Sequence, residues 1–279
     1  MRHWTRQKND LILLIMEFSN SYKSLLWKTT QLKRDRYELL FTTRVKAVLN
    51  KQFKDLAGKI NSDNYRDEHL IDTITKEPIE KALTDLYKIV GVAFARDQLN
   101  RLKSESQGMT FKEAEEDVWS ESLTNYLKIN GGKRIISITG ETKKQALKII
   151  RPVLNDAIDQ GLGADKTARA IRKALVSEGI NINQWRALRI ARTEVMTASN
   201  IGTMEGARAT NQPMTKYWIA TYDNRTRDTH LTVESQNPLR MDDKFQVGNY
   251  SMDVPGDPAG GAEEVINCRC TVAFRVEKI

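Results

Sequence analysis

Of the 279 residues only two are cysteine, three histidine and six proline, and aromatic side chains make up 7%. The two cysteines, Cys268 and Cys270, stand one residue apart. That excludes a disulfide framework, since neighbours on one strand face make poor bridge geometry, and a reducing compartment is expected. Little proline and few aromatics favour a helix-rich chain over an all-β one. No apolar run reaches the length of a membrane span. The run Leu11 to Met16 follows basic residues, but it is too short for a signal sequence, Glu17 interrupts it, and no small-residue cleavage site follows. Acidic residues are outnumbered: 44 Lys and Arg against 36 Asp and Glu leave a net charge of +8 and a pI near 9.3. Such an excess suits a polyanionic neighbour, nucleic acid or an acidic protein surface. It is concentrated in the first fifty residues, while the last thirty lean acidic.

A chain of this length buries a sizeable core and is expected to make two units. The first half reads as helices. Leu11, Leu14, Ile15, Phe18, Tyr22, Leu25 and Leu26 recur at helical spacing, and Leu32 to Leu56 continues the pattern. Trp4 and Trp27 flank this run, as core or as anchors in a partner's groove. Asn61 to Lys76 is a polar connection. Glu77-Pro78 opens a helix striped by Ile79, Leu83, Leu86, Val90 and Phe94. Thr110 to Glu113 has the form of a capping box before a helix bearing Val118, Trp119, Leu123 and Leu127. Asn130-Gly131-Gly132 reads as a break and Arg134 to Ile138 as a short extended piece, which sets the expected boundary between 1–135 and 136–279. Ala146 to Ile158 is an amphipathic helix with Pro152 bending or breaking it. Gly161-Leu162-Gly163 ends it, Asp165 is a candidate cap, and the next helix turns Ala168, Ile171 and Leu175 inward.

The chain is organised around Lys216 to Val276. Lys216 to Tyr222 alternates, with Trp218, Ala220 and Tyr222 on one side and Tyr217, Ile219 and Thr221 on the other. Cys268, Cys270, Val272, Phe274 and Val276 alternate likewise against Arg269, Thr271, Ala273 and Arg275. Both patterns have the period of a strand. Between them lies a loop-rich insert: a polar turn from Asp223 into a short helix carrying His230, a short strand at Phe245, and Val254 to Gly261, where proline and glycine exclude regular structure. One helical turn, Ala262 to Ile266, delivers Asn267. Upstream, the helix Gln184 to Ala209 places Glu194 on the stripe of Ala187, Ile190, Ala191, Ala198, Ile201 and Gly202. A carboxylate on a packed face needs a cation, and Arg225, Arg227 and Arg269 are the expected partners.

Ala191-Arg192-Thr193-Glu194, Asn200, Trp218, Asp223-x-Arg225-x-Arg227-x-x-His230, Phe245, Pro255, Asp257-Pro258 and Asn267-Cys268-Arg269-Cys270 together resemble the phage Mu F-like minor head proteins. The resemblance covers roughly Thr142 to Phe274, and the first half carries none of these motifs. It implies a minor head protein of a tailed phage or prophage, made in the host cytoplasm and built into the virion in the head interior or at the portal vertex. Its implied partners are portal, scaffold or major capsid protein and double-stranded DNA, without membrane. The implied role of 1–135 is a basic helical docking arm.

The chemistry of the insert admits several uses. His230, Cys268 and Cys270 are borderline-soft ligands that suit zinc, with Asp223 or Asp228 as a fourth, although the cysteine spacing is shorter than usual. Asp223, Arg225, Arg227 and His230 would serve a phosphodiesterase, histidine as base and arginine steadying the charge, but no second basic group or metal-binding carboxylate pair accompanies them. The third use is a hydrogen-bonded network of Glu194, Asp223, Arg225, Arg227, His230, Asn267 and Arg269 that pins loops to strands. Arg169, Arg172, Lys173, Arg186, Arg189 and Arg192, read as lying on two successive helices, are the candidate polyanion contacts, with Asn224 to Arg227 a weaker one. The expected fold is α+β, a helical N-terminal region followed by helices on a small, mainly antiparallel sheet. The expected function is head assembly with no catalytic residue and no cofactor. The alternative is a nuclease or ADP-ribosyltransferase-type effector, against which the end of the chain soon after Phe274 counts.

Overall fold

The computed structural model describes residues 19–106 and 116–277. Trp4, the run Leu11 to Met16 and the capping box at Thr110 lie outside them. The fold is α+β, with long helices around a small antiparallel sheet. Helix α1 runs Asn20–Lys59, its first turn capped by Ser19, whose Oγ accepts the Tyr22 N–H at 3.2 Å. A 3-10 turn, Glu68–Thr73, occupies the polar connection. Helix α2, Glu77–Leu86, begins with Pro78 in its first turn and passes through a wider π-turn, Tyr87–Gly91, into α3, Val92–Glu105. Helix α4 is Glu116–Asn130 and α5 is Gly132–Asp159.

One expectation fails here and another is narrowed to its first alternative. Arg134 to Ile138 is helical, because Gly131 and Gly132 keep right-handed helical geometry and α5 starts at once. Pro152 sits inside α5 without ending it, at a solvent-exposed position.

Helix α6, Ala164–Arg208, is a single 45-residue rod where two helices were expected. Gly179 does not break it: a Cβ there would stand 2.3 Å from the Phe53 ring, so the glycine is the seat for that ring. Asp165 lies in the first turn, where a carboxylate suits the helix dipole, but the cap position is Gly163. α1, α3 and α5 all pack along this rod. Its small residues set the distance. A Cβ on Gly202 would meet the Gly91 carbonyl oxygen at 2.1 Å, and one on Gly206 the Ala95 oxygen at 2.2 Å.

Strands β1, Met214–Ile219, β2, Leu239–Arg240, and β5, Thr271–Val276, form one sheet in the order β2-β1-β5, all antiparallel. Met214 pairs with Val276 and Ile219 with Thr271. β3, Phe245–Val247, and β4, Tyr250–Met252, form a separate hairpin. The alternation seen in the sequence overshoots both main strands. β1 ends at Ile219, leaving Tyr222 exposed, and Cys268 and Cys270 precede β5. One apolar core joins Phe41, Val45 and Leu49 of α1 to Ala191, Val195 and Ala198 of α6 and to Val272 and Phe274 of β5. A second, smaller core gathers Trp218, Val233, Phe245, Val247 and Met252 around His230. Among the described residues no helix is long and apolar enough to cross a membrane.

Candidate functional site

Glu194 is 2% exposed on the packed face of α6, as its position in the stripe requires, but its cation is not one of the expected arginines. Its Oε2 lies 3.2 Å from Arg134 Nη2 of α5 and accepts the Tyr87 hydroxyl at 3.0 Å. Arg134 Nη2 donates to the same hydroxyl at 2.6 Å, closing a triangle between three helical segments. Burial opposes the charge of Arg134, but Glu194 and Tyr87 outweigh it and hold the guanidinium pKa above its ordinary range. Arg225, Arg227 and Arg269 are engaged elsewhere. Arg269 forks onto Asp223, Nη2 to Oδ1 at 2.7 Å with Nη1 on Oδ2, and Arg225 Nη2 stands 3.6 Å from the same carboxylate. Arg227 Nη2 donates to the Ile266 carbonyl at 2.7 Å. The predicted network therefore divides. Asp223, Arg225 and Arg269 form one knot near the surface, Arg227 ties the turn to the segment before Asn267, and Glu194 belongs to the helical core.

Asp223 is held well below the usual carboxylate range, first by the Arg269 hydrogen bond and then by the Arg225 backbone N–H. Asn267 takes a left-handed backbone, φ 57°, and its N–H donates to Thr193 Oγ1 of α6 at 3.2 Å. Helix α7, Asp228–Val233, carries His230 inward. Its Nδ1 faces Cys270 Sγ at 3.4 Å and Cys268 Sγ at 3.5 Å, and its Nε2 meets Glu264 Oε2 at 2.9 Å. Glu264 belongs to helix α8, Gly261–Val265, and also accepts the Thr229 hydroxyl at 2.9 Å. Neither Asp223 nor Asp228 joins the histidine and cysteines, so neither is the fourth ligand that the sequence led one to expect. The shared thiol hydrogen bond pulls Cys268 down and pushes Cys270 up.

Residues 148–273 match the family model described as phage Mu protein F like protein. This part of the chain is phage Mu F-like. An NAD(+)--arginine ADP-ribosyltransferase EFV from Enterococcus faecalis (strain ATCC 700802 / V583) is 33% identical over 107 residues, 37% of this chain. The match spans 22% of that relative's own length. No solved structure matches.

Within the Mu F-like part the most connected polar residue is Asn200, wholly buried on α6. Its Nδ2 donates to the Pro255 carbonyl at 2.9 Å and the Cys270 carbonyl at 3.2 Å. Its Oδ1 accepts Val272 N–H at 3.2 Å, Thr271 Oγ1 at 3.3 Å and Arg34 Nη2 at 2.7 Å. Arg34 comes from α1, outside the Mu F-like part, and is 2% exposed. Its Nε donates to Ser199 Oγ at 2.7 Å and its Nη1 to the Cys270 carbonyl at 3.1 Å. No carboxylate pairs with it among these bonds, and burial lowers its pKa to about 10. Trp27 of the same helix donates its indole N–H to Thr221 Oγ1 at 2.9 Å and the Arg269 carbonyl at 3.1 Å. Its polar edge is thus committed inside the chain.

Arg34, Arg134, Glu264 and Lys216 escaped the sequence reading. Lys216, wholly buried on β1, donates to the Asp253 carbonyl at 2.9 Å, and burial lowers its pKa. The candidate polyanion residues separate into two sets. Arg186 is buried against Thr142 Oγ1 at 2.9 Å, Arg172 donates to the Ile60 carbonyl at 2.8 Å, and Arg192 forks onto Glu38 at 2.9 and 3.1 Å. Arg169, Lys173 and Arg189 face solvent. A cleft of about 650 Å³ lies between α1 and the insert, walled by Trp27, Glu38, Arg192, Arg225, Arg227 and Arg269.

Proposed function

We propose that this chain is a minor head protein of a tailed phage or prophage, made in the bacterial cytoplasm and built into the head at the portal vertex. The Mu F-like match over residues 148–273 carries the reading. The chemistry of the motif residues agrees with it. Asp223 and Arg269 neutralise one another, Glu194 is closed off by Arg134 and Tyr87, and His230 has both ring nitrogens engaged in a buried site. A phosphodiesterase needs its histidine base within reach of substrate, and His230 is 1% exposed. The ADP-ribosyltransferase relative supports a second reading, a transferase-type effector. The segment it shares covers 22% of that enzyme, so the shared part is read as a common assembly module rather than the transferase itself.

In the assembly reading residues 1–135 dock onto the portal and 136–279 hold the Mu F-like fold. Leu25, Leu32 and Leu39 of α1 are exposed at 60, 64 and 74% and recur every seven residues, which suits a helical partner. Portal protein is the intended partner, with scaffold or major capsid protein adjoining. The exposed Arg169, Lys173 and Arg189, and Arg225 beside the cleft, are the groups left to meet packaged DNA. Co-expression with the portal protein of the same phage tests the docking. The tagged full chain should retain portal through affinity and sizing columns, and the L32E/L39E pair should lose it while keeping the wild-type melting temperature. Wild-type chain that elutes free of portal would overturn the reading. Transfer of label from NAD to arginine by the purified chain would replace it with the transferase.

A further inference from the structure

Three ligating side chains of different segments converge behind β1. His230 of α7 and Cys268 and Cys270 ahead of β5 are each no more than 2% exposed, and their ligand atoms all lie within 4.8 Å of one another. The two sulfurs stand 3.4 and 3.5 Å from His230 Nδ1. With zinc–nitrogen bonds of about 2.0 Å and zinc–sulfur bonds of about 2.3 Å, the nitrogen–sulfur edge of a zinc tetrahedron is about 3.5 Å. The groups are thus already spaced as ligands of one ion. We propose that His230, Cys268 and Cys270 bind a single zinc ion that fastens α7 to the start of β5.

Three further features of the surroundings fit this ion. His230 turns its other nitrogen to Glu264 at 2.9 Å, which fixes the ring with Nδ1 aimed at the two sulfurs, the outer-shell arrangement usual for metal-bound histidine. The Cys270 N–H points at Cys268 Sγ at 3.4 Å, which favours sulfur as thiolate. The charges also close. Two thiolates balance a divalent ion. Two sulfurs and an imidazole suit zinc and disfavour magnesium or calcium, which take oxygen. No other His, Cys, Asp or Glu among the described residues joins the cluster, so the fourth vertex falls to a water molecule. The ion would close the insert between residues 230 and 268, a span that the β3–β4 hairpin and short helices otherwise hold with a small core.

The test uses the full chain, expressed with zinc in the medium and purified under reducing conditions. Elemental analysis after dialysis should find one zinc per chain, and the Cys268→Ser/Cys270→Ser double variant should retain less than a tenth of it. Should that variant fail to fold, the unaltered chain decides. Stripped with chelator and titrated with cobalt(II), it should develop thiolate-to-cobalt absorption that saturates at one equivalent and is bleached by zinc. The zinc-loaded chain should also melt above the stripped one. A folded, reduced chain that holds no stoichiometric zinc and gives no cobalt–thiolate absorption would overturn the proposal.

Discussion

Removal of the Arg34 guanidinium tests how the first helix is tied to the Mu F-like part. Arg34→Met keeps most of the stem and deletes the donors. Three bonds of 2.7, 2.7 and 3.1 Å are lost, to Ser199, Asn200 and the Cys270 carbonyl. Hydrogen bonds involving a charged group contribute about 1.5–3 kcal/mol each, so roughly 5–9 kcal/mol is at stake. The burial that lowers the pKa to about 10 costs on the order of 3 kcal/mol, which methionine does not incur. The acceptors are not orphaned, because Asn200 Oδ1 still receives Val272 N–H and the Cys270 carbonyl still receives Asn200 Nδ2. The net loss is therefore about 2–6 kcal/mol, which corresponds to a fall in Tm of roughly 5–20 °C in a protein of this size. Urea unfolding followed by tryptophan fluorescence, to which the buried Trp119 and Trp218 contribute, reads it directly. Arg34→Lys should recover only a minor part, since a single ammonium nitrogen cannot reach acceptors spaced for the three guanidinium nitrogens. A loss below about 1 kcal/mol, or full recovery by lysine, would refute the reasoning.

Glu194→Gln should destabilise by about 3–5 kcal/mol by leaving Arg134 buried without its anion, and the double change with Arg134→Met should cost less than the sum, as a double-mutant cycle in urea would show. Gly202→Ala should cost at least about 1–3 kcal/mol in the same assay, because its Cβ falls 2.1 Å from the Gly91 carbonyl oxygen, a backbone atom that cannot rotate away. Asp223 has a folded-state pKa below its unfolded value of about 3.9, so its stabilisation is complete above that value and is lost as pH falls through the folded one. Asp223→Asn should accordingly lower Tm at pH 7 and flatten the acid limb of the Tm–pH profile, and an unchanged acid limb would count against the Asp223–Arg269 fork.

The parts of the fold with a local period were legible. The paired alternations around Trp218 and Phe274 gave the antiparallel β1–β5 pair, and the stripe through Ala187, Ala191 and Ala198 placed Glu194 on a packed face. Its partner was not legible. Arg134 follows two glycines whose composition reads as a break, and only the packing of α5 on α6 shows them to be helical. Gly179 admits the Phe53 ring from a distant helix, a role that no local pattern announces. Arg34 looks like one more positive charge in a basic region, and nothing nearby in sequence announces that it is buried. Glu264 stands beside Glu263, and both read as solvated acids, although Glu264 alone turns inward to His230. The convergence of His230 with the cysteines was visible as chemistry, but the aspartates that seemed able to complete it are drawn away by Arg269 and by the exposed start of α7. Long-range partners decide each of these cases, and single-sequence patterns carry only short-range ones.

Incorporation of this chain into a phage head, as proposed, is tested most directly by sedimentation of assembling particles. Portal, scaffold, major capsid protein and this chain, co-expressed and separated on a density gradient, should place a few copies of the chain in the particle fraction whenever portal is present, and none when portal is omitted. A chain that stays at the top of the gradient beside portal-containing particles would contradict the assembly role.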